Sequence, residues 1–486
     1  MYISKTDFIH YLNCPKSLWL LKHKPDQYPH GKFSDYMKKL IAEGFEVEAI
    51  VQKLIKNAPD AASYSFQSVF QTQHGLYAKA DMIRDNRVGT IDLYEVKSST
   101  SVKKGGQHNQ IKDAAFQKIA AEEAGLEVAR VFIVHLNKDY VRQGDIDPEE
   151  LLIFADVTSD VAGIEADTRA EIDGALAMLA QQEVDESSCS CLQLTKSNHC
   201  DSFDYFNPAI PTPSIYTLPR ISKAKIAGFV ADRRFDLDEI GLNEVTDKQA
   251  PVLHSAHLKA PIIDQTAIAG FFSKATYPIY FIDYETYSSA IPLVDGARPQ
   301  APIPFQYSLH VKRTPEDTEL LHIEYLAEEA AMPQAMIEHM QSHIGATGSL
   351  VSWHASFENT QNKTMVAQYP DKADFLNDLT ERTLDLEDVF KDGYVDIAFV
   401  GSTSIKKVLP VIVPDLTYEG MDVASGTDAM ETWIRLIRMP NSVEKDQLRE
   451  AMLDYCKLDT YAMVRIFEEM EWVLTLGIRT TNANRN

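Results

Sequence analysis

Apolar side chains recur at helical spacing in two early stretches. Phe8, Ile9, Leu12, Leu18, Trp19 and Leu20 follow Ser4, Thr6 and Asp7, any of which can cap a helix start. Met37, Leu40, Ile41, Phe45, Val51 and Ile55 lie near helical spacing, which predicts a helix over 34–56. The period then changes. Residues 63–70, 75–84, 88–97 and 129–136 are rich in Tyr, Val, Ile and Phe and read as strands. Between them, 108–125 predicts a helix stopped at Gly125. Residues 204–216 (DYFNPAIPTPSIY) are proline-rich and mark a boundary, and 217–270 carry short helices and turns. A second pattern begins at 277. YPIYFIDYETY, FQYSLHVKR and LLHIEYLA predict strands, with helices near 328–344, 357–368 and 443–475.

The fold class expected is α/β: two mixed-sheet domains, 1–216 and 271–486, joined by a small helical connector over 217–270. At roughly 150 residues per domain, 486 residues suit two large domains or about three. The chain is 45% hydrophobic and 24% charged, an ordinary globular balance. Its net charge of −24 excludes a uniformly basic coat for nucleic acid. It does not exclude an enzyme that gathers carboxylates around a metal. No apolar run approaches the ~18 residues of a spanning helix. The start, MYISKTDFIHYLNC, lacks the apolar core of a signal peptide. The expectation is therefore a cytoplasmic protein with no membrane partner.

Candidate chemistry concentrates in three places. The first is Asp81 followed by Glu95-Val96-Lys97. Residues i and i+2 of a strand share a face, so Glu95 and Lys97 project together, and a neighbouring strand can bring Asp81 beside them. Two carboxylates supply hard oxygens for Mg²⁺ or Mn²⁺. Such an ion lowers the pKa of a bound water and neutralises charge growing on a phosphoryl oxygen. A lysine there can orient or deprotonate the water, or stabilise the pentacovalent phosphate. A salt bridge on paired strands is the other reading of this spacing. From Lys97 to Lys118 there are five lysines and one acid, Asp113, and the turn at Lys103 and Lys104 is placed to contact phosphates.

The second place is a set of cysteines. Five in a long chain, an odd and sparse number, are not a disulfide framework. Cys14 lies near the start of the first domain; Cys189, Cys191 and Cys200 lie near its end. Four converging thiolates can bind a 4Fe–4S cluster or Zn²⁺. Either closes a loop of about 175 residues, with an entropic gain of a few kcal/mol. Four unrelated thiols are the alternative. Cys456 belongs to a different motif and is expected in a core. The third place begins with Asp283 and Glu285, which share one face of a strand after the apolar run 279–282. Tyr455 and Asp459 are i, i+4 neighbours on the last predicted helix, with Glu358 between. Ser402, Ser404, Lys406 and Lys407 form a candidate phosphate-holding loop.

On these residues the first half resembles the RecB-like branch of the PD-(D/E)XK nucleases. The resemblance implies a restriction-endonuclease-like fold with Asp81, Glu95 and Lys97 as its catalytic motif. It places Glu48, four residues after Gly44, in a metal-supporting role, where the branch often has histidine. It places Gln117 near the substrate phosphate. Leu12-Asn13-Cys14-Pro15-Lys16 resembles the Cys-Pro-basic motif of RecB-like Fe–S nucleases, which favours 4Fe–4S over zinc, although C-x-C-x8-C departs from the usual C-x-x-C spacing. The second half resembles the DnaQ-like (DEDD) 3′–5′ exonucleases, which have a ribonuclease-H-like fold. That implies Asp283, Glu285, Glu358 and Asp459 around two divalent ions about 4 Å apart, with Tyr455 orienting the attacking water. Glu358 stands where most relatives have aspartate. The whole chain is similar to an uncharacterised bacterial family that combines both halves. The function implied is a Mg²⁺- or Mn²⁺-dependent nuclease acting on DNA. RNA processing is one alternative; an inert nucleic-acid-binding subunit of a repair or defence complex is another.

Overall fold

The computed structural model describes residues 2–31, 35–106, 109–423 and 425–476. They form two compact units, Met1–Ile210 with Ser288–Ala301, and Pro211–Tyr287 with Pro302–Asn486. Both are built on mixed β-sheets.

The first unit holds six strands: β1 (Ile3–Ser4), β2 (Tyr64–Gln71), β3 (Leu76–Asp85), β4 (Thr90–Val96), β5 (Glu127–Leu136) and β6 (Leu152–Asp156). Their order is β1-β3-β4-β5-β6, with β2 also against β3. β4 and β5 run parallel, and β3 and β4 antiparallel. Both sheet faces are covered. Leu93, Val131 and Ile133 pack on one side with Phe8, Leu18 and Phe116, while Tyr94, Val134 and Leu136 meet Val47 and Val51 on the other.

Local chemistry explains where its helices begin and end. Ser4 and Asp7 form a capping box at the start of the Lys5–Asn13 helix. The apolar stretch from Phe8 to Leu20 is then broken in two, because Cys14 is extended and Pro15 opens a new helix, Pro15–His23. Asp35–Lys56 is helical, but only part of its apolar stripe is buried. Val47, Val51 and Ile55 are buried, whereas Phe45 is 64% exposed. The Gln110–Glu123 helix ends at Gly125, whose φ of +92° suits glycine. Residues 34 and 108 of the two predicted helices lie outside the described residues. The Thr158–Ala180 helix has no strong signal in the sequence. Its buried face includes Thr168 and Ala175 between Val161, Ile172 and Leu179, so the apolar period is shallow.

The second unit has a five-stranded sheet and a short two-stranded one. The ribbon is β7 (Ile262–Ile263) with β13 (Tyr394–Val395). The larger sheet comprises β8 (Ile279–Tyr287), β9 (Ile303–Lys312), β10 (Leu321–Leu326), β11 (Ser349–Ser352) and β12 (Thr383–Asp385), in the order β10-β9-β8-β11-β12. β10, β9 and β8 are antiparallel to one another; β8, β11 and β12 are parallel. All ten residues of β9 are buried, as expected for a strand covered on both faces. Val443–Leu476 is a 34-residue helix whose Met463 and Phe467 join Phe281 and Val351 in one core. Residues 217–270, read as a connector, fold with this unit, and Ile268 enters the same core. Residues 288–301, read as part of the second domain, fold with the first unit: the Ala290 N–H donates to Glu43 Oε1 at 3.0 Å. No helix among the described residues is long and apolar enough to cross a membrane.

Candidate functional site

The first carboxylate site forms where β3 and β4 part. Their ladder ends at Met82–Tyr94. One residue beyond, Asp81 Oδ2 accepts the Val96 N–H at 2.8 Å, a side chain taking the place of a backbone carbonyl. Glu95 and Lys97 share a face, as strand geometry requires, and Lys97 Nζ donates to Glu95 Oε1 at 2.7 Å. Lys97 also donates to Asp113 Oδ2 at 2.7 Å. Lys5 Nζ and Gln117 Nε2 donate to Glu95 as well. Glu48 accepts from Gln67 Nε2 at 3.0 Å and feels the charge of Glu95.

This arrangement separates two neighbouring acids. Burial raises Asp81, and the negative charge of Glu95 pushes it further, to about 8. Burial would raise Glu95 too, but Lys5 and Lys97 outweigh it and hold that carboxyl below its ordinary range. Burial opposes the Lys97 ammonium, yet Glu95 and Asp113 together push its pKa up. Lys97 is thus held between Glu95 and Asp113, both of which favour its ammonium form. Two of these contacts were invisible in the sequence. Lys5 belongs to no motif, and Asp113 counted only as the lone acid among lysines.

The basic character of residues 97–118 does not survive folding intact. Lys104 pairs with Asp160 at 2.9 Å, Lys112 with Glu171, and Lys118 with Glu122 at 2.5 Å and Glu165 at 2.7 Å. Most of these acids come from the Thr158–Ala180 helix, far away in sequence. Lys103 remains exposed. Lys104 can reach a phosphate only in competition with Asp160, although an exposed pair of that kind is worth less than about 1 kcal/mol.

The cysteines converge. Among the described residues, Cys14, Cys189, Cys191 and Cys200 form one of two clusters whose donor atoms all lie within 4.8 Å of one another. All four are free thiols. Cys14 is held between two helices, and the other three lie after Ala180, with Cys191 on the short 3-10 helix Ser190–Gln193 and Cys189 capping it. Hydrogen bonds from Cys14, Cys191 and Cys200 draw the Cys189 thiol down, and Asn207 Nδ2 lies 3.6 Å from its sulfur. Four soft donors at this spacing fit a tetrahedral metal ion or an iron–sulfur cluster.

The second cluster is Asp283, Glu285 and Asp459. Central strand β8 presents the first two on one face, and the long C-terminal helix supplies Asp459. Tyr455, one turn earlier on that helix, is buried. Burial raises all three acids, and neighbouring carboxylates push Asp283 and Glu285 further, whereas Tyr418, Lys406 and Tyr455 work against burial at Asp459. Asp283 is pushed well up, Glu285 to about 8 and Asp459 to about 6. Glu358 stays outside the 4.8 Å group, but it is buried, raised to about 8 chiefly by that burial, and its Oε2 lacks a hydrogen-bond partner. Three converging carboxylates beside an orphaned buried oxygen fit a hard divalent cation. Cys456 is buried, as expected, with its sulfur 3.8 Å from Asp283 Oδ2.

Around this cluster the predicted phosphate loop divides. Lys406 Nζ points inward, 3.4 Å from the Tyr455 hydroxyl, while Lys407 is exposed. Trp353 Nε1 donates to the Thr403 carbonyl at 3.1 Å, which ties the loop to the turn before Glu358. His354 in that turn has a φ of +61°. A surface cavity of about 490 Å³ opens between His354 and Lys406, floored by Ser402, Thr403 and Ser404. Tyr418, absent from the sequence reasoning, donates to Asp459 Oδ1 at 2.6 Å.

The raised carboxylates predict a pH dependence. Their folded values exceed the ordinary 3.8 and 4.5. The folded chain thus binds more protons than the unfolded one, and stability falls as pH rises from about 4 through 6 and 8. Without divalent metal, the Tm is expected to drop between pH 5 and pH 8.5. The gain from adding Mn²⁺ should grow over the same interval, because ligation releases those protons. Thermal unfolding with and without Mn²⁺ checks this; a Mn²⁺ gain independent of pH contradicts it.

Residues 280–404 match a family profile described as a domain of unknown function (DUF2779). The match includes Asp283, Glu285 and Glu358 and ends before Lys406, Tyr455 and Asp459. A search of curated proteins gives no match.

Proposed function

We propose that this protein is a divalent-metal-dependent nuclease that hydrolyses DNA phosphodiester bonds at two sites. The observation that carries the reading is the convergence of half-buried Asp283 with buried Glu285 and Asp459 within 4.8 Å, beside Tyr455 and Lys406. Carboxylates this close repel one another and are difficult to ionise together without a counter-cation. Mg²⁺ or Mn²⁺ held there would supply Lewis-acid stabilisation of a phosphoryl group and an activated water. Asp283, Glu285 and Asp459 act as ligands in this reading, with Glu358 completing the set. The Tyr455 hydroxyl orients the attacking water. Lys406 faces the phosphate undergoing attack, and removal of nucleotides proceeds from a 3′ end.

In the first unit, Asp81 and Glu95 hold the cation with support from Glu48. Gln117 keeps the Glu95 carboxylate in place. Lys97, fixed between Glu95 and Asp113, stabilises charge growing on the phosphate. Cys14, Cys189, Cys191 and Cys200 hold a 4Fe–4S cluster as a structural staple, with zinc as the lesser alternative. Lys103, Lys104 and Lys407 serve as peripheral phosphate contacts.

The test is Mg²⁺-dependent digestion of end-labelled single- and double-stranded DNA, and of matched RNA, by anaerobically purified full-length chain. DNA shortened from its 3′ end is expected. Lys97→Ala should slow cutting by the first site on the order of 100- to 1,000-fold while leaving 3′ trimming in place. Faster degradation of the RNA assigns the chain to RNA processing. Absence of metal-dependent degradation in every arm supports a binding subunit instead.

A further inference from the structure

We propose that Tyr418 is a positioning residue of the second site, holding the Asp459 carboxylate so that its other oxygen is presented to the cation. The inference rests on the proposed metal-binding role of Asp283, Glu285 and Asp459. Tyr418 lies on the irregular stretch between the Ile405–Ile412 and Gly426–Arg438 helices, where no regular hydrogen-bond ladder dictates its place. Apolar anchors do so instead: Val413 and Val423 are buried on either side, and Leu416 and Tyr418 pack against the core beneath the sheet. So anchored, the ring delivers its hydroxyl to Asp459 Oδ1 at 2.6 Å, the short distance of a hydrogen bond to a charged acceptor.

Two further contacts tie this tyrosine to the site. Lys406 Nζ lies 5.3 Å from the Tyr418 ring centre and 5.2 Å from that of Tyr455, within cation–π range of both. The two rings are 6.3 Å apart. Lys406 thus links the tyrosine that holds Asp459 to the tyrosine proposed to orient water. A carboxylate that binds a metal through one oxygen can rotate about its Cβ–Cγ bond unless the other oxygen is held. A neutral donor on that second oxygen fixes the rotamer without competing for the ion. Loss of such a partner typically costs about 10- to 100-fold in metal affinity. Tyr418 fills that place, and the family match, which ends at residue 404, does not reach it.

The test uses Mn²⁺ binding followed by electron paramagnetic resonance in full-length parent, Asp283→Asn and Tyr418→Phe chains. Phenylalanine keeps the ring, its packing and its contact with Lys406, and removes only the hydroxyl. The class of Mn²⁺ sites lost in Asp283→Asn is expected to weaken about 10- to 100-fold in Tyr418→Phe, with the metal-free Tm lowered by no more than a few degrees. Parent-like Mn²⁺ affinity in Tyr418→Phe overturns the assignment. So does a lower metal-free Tm with Mn²⁺ affinity left parent-like, which makes the hydroxyl a structural contact alone. If Asp283→Asn binds Mn²⁺ as the parent does, it is the underlying metal-site reading that fails.

Discussion

Asp283→Asn, assayed in Mn²⁺, is expected to shorten 5′-labelled single-stranded DNA from its 3′ end on the order of 1,000-fold more slowly than the parent. Two effects combine. The substitution removes a ligand charge from the centre of the three-carboxylate cluster, and it leaves a buried amide facing Glu285 and Asp459. Because burial, Asp459 and Glu285 already push Asp283 itself well up, the metal-free variant should be no less stable than the parent at pH 8, and its Tm should change less with pH. Activity and metal-free stability therefore move in opposite directions. A variant that merely misfolded would lose both. Parent-like trimming by Asp283→Asn removes the second site from the proposal.

Cys200→Ser is expected to have the largest effect on stability. Four thiols drawn from residues 14 and 189–200 converge within 4.8 Å, so a bound ion or cluster joins the two ends of the first unit. Losing one of four ligands should reduce tightly bound iron or zinc to near zero by elemental analysis. At about 3 kcal/mol for the lost link, unfolding of the first unit should move down by roughly 6–12 °C. The absorbance spectrum of the parent separates the candidates. A broad band near 400 nm that bleaches on reduction marks an iron–sulfur cluster, whereas a colourless protein carrying one zinc marks the alternative. A parent chain with neither metal, or a Cys200→Ser chain with unchanged metal content, contradicts the staple.

Much of the chemistry was legible because it depends on short spacings. Two residues along a strand put Glu95 beside Lys97 and Asp283 beside Glu285; four along a helix put Tyr455 beside Asp459. Ser4 and Gly125 mark a helix start and a helix stop through backbone rules that need no partner, whereas the start at Pro15, which splits the first predicted helix, went unread. Four strands of the first sheet, β2 to β5, stood out through their runs of Tyr, Val, Ile and Phe, whereas the short β1 and β6 did not.

Folding alone settled the partners that lie far apart in the chain. Lys5 meets Glu95 across 90 residues, and Tyr418 meets Asp459 across 41, through contacts that no periodicity encodes. The basic run from Lys97 to Lys118 is largely matched by acids of the Thr158–Ala180 helix, which a local count of charges cannot see. The passage of 288–301 into the first unit likewise follows from where Glu43 and Arg142 find hydrogen-bond partners. The physical division is one of range. Backbone sterics and side-chain periodicity act over a few residues and can be read along the chain, whereas charge pairing and burial act through space and depend on which surfaces the fold brings together.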